Sequence, residues 1–110
     1  MVSSSRPGTF RDADLARYRE AWSQPAALTA MLNWYRALSG TRNANVSGRI
    51  RPPTRVLWGK KDAFLQPGLA EATVRWCESG SVVWLENASH WVHHEEPNAV
   101  TAEIIKFLVE

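Results

Sequence analysis

Apolar residues in the first part of the chain recur every three or four positions, the spacing of amphipathic helices. This pattern predicts one helix over residues 12–22 and a second over residues 26–38. Pro25 suits the first turn of the second helix, and Gly40 is expected to stop it. The first nine residues are rich in Ser, Pro and Gly and are expected to fray. Residues 41–53 are polar and predict a connector.

The pattern changes after Pro53, where short apolar runs alternate with helical segments. Residues 55–58 and 81–85 predict β-strands, and residues 69–77 and 97–109 predict helices. Because a helix joins the two strands, they should be parallel with a right-handed crossover. Parallel sheets are normally covered on both faces, which two strands alone cannot achieve. The sequence therefore predicts an α/β fold whose missing strands come from upstream sequence or from another chain.

Two polar residues follow the predicted strands, where ligands bind in open parallel sheets. Asp62 comes after the first strand and His90 after the second. A carboxylate beside an imidazole orients the ring and stabilises its protonated form, which is the acid–base half of a catalytic triad. Each residue also has an ordinary explanation, since Asp is typical of turns and loop histidines commonly make surface hydrogen bonds. From the residues alone, a catalytic pair and two unrelated loop residues both stay open.

Composition narrows the function classes. The net charge is +2 and the basic residues are scattered, which argues against nucleic-acid binding. One cysteine, no apolar N-terminal stretch and no run of membrane-spanning length predict a cytoplasmic location without membrane partners. His93, His94 and the two glutamates after them lack the spacing of a metal site, and no metal is expected.

Two segments resemble the acid loop and the histidine loop of α/β-hydrolases: TRVLWGKKD, residues 54–62, and ASHWVHHEEP, residues 88–97. The run IIKFL, residues 104–108, resembles the last helix of that superfamily. The resemblance covers about residues 52–109. It implies that Asp62 is the triad acid, that His90 is the triad base and that no cofactor is needed. Residues 49–110 would then form the C-terminal part of the α/β-hydrolase core, with the last two parallel strands.

A third segment, MLNWYRA over residues 31–37, resembles a cap-domain helix of epoxide hydrolases. This resemblance implies that Tyr35 donates a hydrogen bond to the epoxide oxygen, on which negative charge develops as the ring opens. Residues 1–48 would then be a partial helical cap segment, and Trp91 is assigned with Tyr35 to substrate binding. From periodicity alone, the favoured interpretation of Tyr35 is a packing residue on an apolar helix face.

The 110 residues contain no nucleophile elbow of the Gly-x-Ser-x-Gly or Gly-x-Asp type and no His-Gly oxyanion segment. In the family these precede the cap helices, so the chain is expected to be a fragment that lacks an N-terminal half and turnover of its own. The intact parent is expected to hydrolyse an epoxide, or a related apolar electrophile, through a covalent alkyl-enzyme ester. Alternatives are a dehalogenase, a serine esterase, or a non-catalytic fragment that serves as an interaction module.

Overall fold

A computed structural model describes residues 1–40 and 48–110, with side chains for residues 1–38 and 48–110. The chain divides into two compact units, one of Phe10–Ser47 and the other of Met1–Thr9 together with Gly48–Glu110. The residues predicted as the connector fall partly outside the described residues, at positions 41–47. The assignment of residues 1–48 to a cap segment stays a prediction, although residues 1–9 group with the second unit.

The unit Phe10–Ser47 contains helix α1, Asp12–Trp22, and helix α2, Ala27–Gly40. The Asp14 carboxylate accepts a hydrogen bond from the Arg11 backbone N–H at 3.0 Å, which satisfies a donor at the start of α1. The predicted bounds of α1 are confirmed. The prediction for Pro25 is wrong: Ala26 has a φ of 62°, outside the right-handed helical region, so α2 begins after it and Pro25 lies in the preceding turn. Gly40 is the last residue of α2 in the part of the chain that the structure describes.

The second unit is built on two parallel strands, β1, Thr54–Gly59, and β2, Gly80–Leu85. Thr54 pairs with Gly80, and Gly59 pairs with Leu85, so the two strands end side by side. Helix α3, Gly68–Arg75, connects them and contacts both. The predicted parallel pairing and helical crossover are confirmed.

Helix α3 ends earlier than predicted, at Arg75. The backbone after it does not continue the helix because it hydrogen-bonds to Ile50 instead. The Ile50 N–H donates to the carbonyl of Trp76, and the Glu78 N–H donates to the carbonyl of Ile50, both at 2.8 Å. Ile50 thus pairs with Cys77 in a parallel bridge beside the start of β2.

The second unit contains three further helices. Helix α4, Val92–Glu95, precedes helix α5, Pro97–Val109, whose predicted bounds are confirmed. At the N-terminus, Val2–Ser4 forms a 3-10 helix. The prediction that residues 1–9 fray is wrong, because Ser4 and Arg6 hydrogen-bond to the segment after β2.

The buried apolar residues are few and mostly small. Ala70 and Ala88 are fully buried and Cys77 nearly so, while no large side chain in the described ranges is fully buried. Exposed large apolar residues include, among others, Leu28, Met31, Trp34, Phe64, Trp76, Ile105 and Leu108. This leaves much apolar surface uncovered around a two-stranded parallel sheet. No helix in the described parts of the chain is long and apolar enough to cross a membrane.

Candidate active site

The site lies where β1 and β2 end together and their loops meet backbone to backbone. The Lys60 N–H donates to the carbonyl of Leu85, and the Lys61 N–H donates to the carbonyl of Ala88, each at 3.0 Å. Gly59 makes this approach possible, since a Cβ added there would lie 2.1 Å from the Ser89 carbonyl oxygen. The first loop therefore carries Asp62 directly to the second.

Asp62 and His90 are in direct contact. His90 Nδ1 lies 2.9 Å from Asp62 Oδ2, and the Asp62 side chain is 7% exposed while that of His90 is 37% exposed. The other carboxylate oxygen, Oδ1, accepts the backbone N–H groups of Phe64 and Leu65 at 2.8 and 3.1 Å. These bonds hold the carboxylate in its own loop and leave one oxygen for the imidazole.

Electrostatics at the pair favour an ionised carboxylate. Burial alone raises the pKa of Asp62, but the hydrogen bond from His90 and those from the Phe64 and Leu65 backbones outweigh burial and leave the pKa below its usual value. An ionised carboxylate can only accept, so Nδ1 of a neutral His90 carries the proton and Nε2 keeps a free lone pair. The exposed part of the ring can therefore act as a base.

Aromatic rings flank the His90 imidazole. Phe64 meets it edge to face with ring centroids 5.1 Å apart, and Trp91 does so at 5.5 Å. The Trp91 indole N–H donates to the Ser4 hydroxyl at 3.1 Å, which fixes the indole against the N-terminal segment. Sequence reasoning singled out Trp91 and missed Phe64, for which the only signal was its place two residues after Asp62.

Glu95 is a second residue that sequence reasoning missed. The residue is buried, at 6% exposed. Its carboxylate accepts the backbone N–H and the hydroxyl of Ser89, both at 2.6 Å, and the backbone N–H of Arg6 at 2.7 Å. Burial raises the pKa of Glu95, but the bonds from Ser89 and Arg6 and the Arg6 charge bring it below its usual value. The sequence had suggested only a favourable charge near the start of the last helix.

Tyr35, His93 and His94 are the remaining residues that the sequence singled out. Tyr35 is 75% exposed on α2, in the unit Phe10–Ser47, and its place in a substrate site stays a prediction. The rings of His93 and His94 are tilted by 46° to each other, with centroids 4.4 Å apart. Burial and the positive charges of the neighbouring histidines lower the pKa of His93. The described residues contain no group of three or more metal-ligating side chains, and the expectation of no metal stays a prediction.

The arrangement of Asp62 and His90 can move a proton. Asp62 can fix the His90 tautomer and stabilise the imidazolium that forms when the ring takes a proton. The chemistry that this pair can support is the activation of a water molecule or of a nucleophile that lies nearby.

The chain matches no family model, but it is similar to curated proteins along nearly all of its length. It is 46% identical over 105 residues to the AB hydrolase superfamily protein YfhM of Bacillus subtilis (strain 168), covering 96% of this chain and 37% of that protein. It is 35% identical over 105 residues to Epoxide hydrolase 2 of Caenorhabditis elegans, covering 92% of this chain and 29% of that protein. The chain thus spans 37% and 29% of the lengths of these two relatives.

The chain is also similar in fold to solved structures. Wild-type Cfl2 from Burkholderia cenocepacia matches with a TM-score of 0.81 at 23% identity, covering 96% of this chain and 37% of that one. The M145A mutant of an epoxide hydrolase from Bacillus megaterium matches with a TM-score of 0.79 at 24% identity, covering 94% and 39%. The chain has the fold of the C-terminal part of an α/β-hydrolase. Together with its curated relatives, this places the chain in the α/β-hydrolase superfamily, where it is similar to epoxide hydrolases.

Proposed function

We propose that the chain carries the acid and the histidine of an epoxide hydrolase active site, whose nucleophile comes from sequence outside these 110 residues. The observation that supports this most strongly is the 2.9 Å contact between His90 Nδ1 and Asp62 Oδ2, in loops that follow adjacent parallel strands. The similarity to proteins named as epoxide hydrolases supports the choice of reaction. A cytoplasmic location, expected from the sequence, belongs to the same proposal.

The first proposed step is ring opening. A carboxylate nucleophile attacks an epoxide carbon, the carbon–oxygen bond breaks, and an alkyl ester forms on the enzyme. The epoxide oxygen leaves with the bonding electrons and takes a proton from the Tyr35 hydroxyl, which is the role proposed for that residue. Trp91, and by its position Phe64, would contact the apolar part of the substrate beside His90.

The second proposed step is hydrolysis of the ester. His90 Nε2 takes a proton from water as the oxygen of that water adds to the ester carbonyl. Asp62, whose pKa is held below its usual value by the bond from His90 and by backbone N–H groups despite its burial, stabilises the imidazolium. Collapse of the tetrahedral intermediate breaks the ester carbon–oxygen bond, and the proton of the added hydroxyl passes to the departing alkoxide, which gives the diol and the free carboxylate. The proton on His90 passes through solvent to the Tyr35 phenolate, so that both residues return to their starting forms.

A second candidate function is non-catalytic. The many exposed apolar side chains and the two-stranded sheet favour an interaction module that completes another protein's sheet. Dehalogenases and serine esterases are closer alternatives, because they use the same acid–histidine pair and differ in the nucleophile.

Sequencing the source DNA upstream of Met1 tests the proposal. A nucleophile elbow in frame with this chain is the expected result, and Asp at its centre would agree with an epoxide hydrolase. Ser at that position would replace the proposal by an esterase. If no elbow is encoded nearby, the catalytic proposal fails and the interaction module is favoured.

A further inference from the structure

The proposed reaction leaves Glu95 without a role, although burying a carboxylate is costly unless it is hydrogen-bonded. Glu95 lies at the end of α4, outside the loop that carries His90. The hydrogen-bond donors to the Glu95 carboxylate compensate for its burial. They therefore indicate which part of the structure the carboxylate holds in place.

Two of the three donors to Glu95 belong to Ser89, the residue before His90. The Ser89 N–H donates to Oε2 and the Ser89 hydroxyl to Oε1, both at 2.6 Å. Hydrogen bonds to a charged acceptor are shorter and stronger than neutral ones. One carboxylate therefore fixes both the backbone and the side chain of the residue that leads into His90.

The other side of the same residue is also fixed. The Ser89 carbonyl lies where it would collide with any side chain at Gly59, and the preceding carbonyl of Ala88 accepts the Lys61 N–H at 3.0 Å. Backbone contacts thus position Ser89 against the Asp62 loop, while Glu95 positions it against α4. Together these contacts fix the position of the backbone from which the His90 side chain extends.

Arg6 closes the arrangement from the N-terminal segment. Its backbone N–H donates to Glu95 Oε1 at 2.7 Å, and its guanidinium donates to the Glu95 carbonyl. The same guanidinium pairs with the exposed Glu96 carboxylate at 2.7 Å. The buried negative charge of Glu95 is therefore satisfied by donors from two segments of the chain, residues 6 and 89.

We propose that Glu95 is a positioning residue for His90: by holding Ser89 it keeps Nδ1 of the imidazole aimed at Asp62. This inference rests on the proposed function, because it assigns Glu95 a part in the same acid–histidine pair. Glu95 reaches no atom of the ring and acts only through Ser89.

The test is the tautomer of neutral His90, read from the ¹⁵N shifts of its ring nitrogens at alkaline pH in the full 110-residue chain. In Glu95→Gln the side chain keeps its size, but an amide NH₂ now faces donors from Ser89 or Arg6, so at least one bond is lost. The ratio of the Nδ1–H to the Nε2–H tautomer is expected to fall about fivefold, the factor that corresponds to one ordinary hydrogen bond. The matched control is Glu96→Gln, which removes the neighbouring exposed carboxylate and should leave the ratio unchanged.

Two further variants keep the test decisive. Ser89→Ala removes one donor and leaves Glu95 in place, so it should lower the ratio in the same direction even if Glu95→Gln does not fold. Asp62→Asn keeps only one acceptor oxygen, which the Phe64 and Leu65 backbone N–H groups occupy, so an NH₂ donor then faces Nδ1 and the ratio should fall on its own. If Asp62→Asn lowers the ratio while neither Glu95→Gln nor Ser89→Ala does, the positioning role is overturned and the proposed function stands. If Asp62→Asn has no effect, the pair does not exist and both proposals fail.

Discussion

At the scale of single residues, Gly59 sets the distance between the two site loops. An alanine there would place its Cβ 2.1 Å from the Ser89 carbonyl oxygen and 2.6 Å from that of Ala88. Since both obstacles are backbone atoms, the loops must separate. We expect Gly59→Ala to lower the free energy of unfolding by about 1–3 kcal/mol, as overpacking does, measured by urea denaturation.

The control for this substitution is Gly68→Ala in α3. No atom lies within 4 Å of the added Cβ there, so the change should raise stability by about 0.5 kcal/mol through the lower entropy of the unfolded chain. Equal effects of the two substitutions would contradict the close approach of the loops.

The two buried carboxylates make stability depend on acid pH. Hydrogen bonds outweigh burial and hold the pKa values of Asp62 and Glu95 below their usual values of 3.8 and 4.5. The unfolded chain therefore binds protons before the folded chain does, and this part of the stability is complete above about pH 6 and is lost as pH falls through the folded pKa values.

We therefore expect the free energy of unfolding to fall between about pH 5 and pH 3 in the wild type and to fall less steeply in Asp62→Asn with Glu95→Gln. Urea denaturation across this range measures both. An identical acid dependence in the wild type and the double variant would show that neither carboxylate has a lowered pKa.

The sequence predicted the contact between Asp62 and His90 but not the part played by Glu95. The two residues meet because each lies in the loop that follows a strand, and parallel strands bring their carboxyl ends together. Glu95 stands beside an identical residue, Glu96, and the packing of residues 4–6 against residues 89–95 buries the first and leaves the second partly exposed. Local sequence contains no signal for that choice.

At the scale of elements, Arg55 connects β1 to α5. Its side chain is 13% exposed, its guanidinium lies 5.1 Å from the centre of the Phe107 ring, and it pairs with Glu110 at 2.5 Å. Nη1 also lies 3.5 Å from Glu103, an ion pair without hydrogen-bond geometry. Arg55→Gln should cost about 1 kcal/mol of unfolding free energy, more than an ordinary surface pair.

The matched control is Arg51→Gln. Arg51 is largely exposed and lies 3.8 Å from Glu78, so its loss should change the unfolding free energy by less than about 0.5 kcal/mol. If Arg51→Gln costs as much as Arg55→Gln, the link between β1 and α5 does not depend on Arg55.

Periodicity in the sequence predicted which long helices and strands exist. The residues at which they begin and end depend on individual backbone conformations and contacts. Helix α2 begins after Ala26 because of one positive φ, and α3 ends early because Ile50 takes the backbone groups around Cys77. Helix α4 has four residues, too few for a helical period to be visible in the sequence. These features depend on contacts between distant segments, which no local pattern records.

At the scale of the whole molecule, the exposed apolar surface predicts association. With a two-stranded sheet and no large side chain fully buried in the described ranges, the chain should self-associate as its concentration rises. Sedimentation velocity over a concentration series measures this, and an apolar dye should bind. A monodisperse monomer that melts cooperatively and binds no dye would contradict the prediction of an incomplete sheet.

The order of elements, the parallel pairing and the need for further strands could be inferred from the sequence, because each follows from general rules of connection. The identity of the nucleophile could not, since no elbow occurs in these residues and the same acid–histidine pair is used with Asp or Ser. The position of Tyr35 relative to Asp62 and His90 could not be inferred either. Tyr35 belongs to a different unit, and helical periodicity contains no information on how units are arranged.

The central claim, that His90 hydrolyses a covalent ester formed from an epoxide, is tested most directly by intact-protein mass spectrometry of the complete gene product. In His90→Gln, mixed with a simple aryl epoxide, ring opening should still occur while ester hydrolysis slows by about 10³-fold. An adduct equal in mass to the whole epoxide should therefore accumulate, on a residue outside positions 1–110, and the neighbouring control His93→Gln should turn over without it. Turnover by His90→Gln at the wild-type rate, or no adduct at all, would contradict the account.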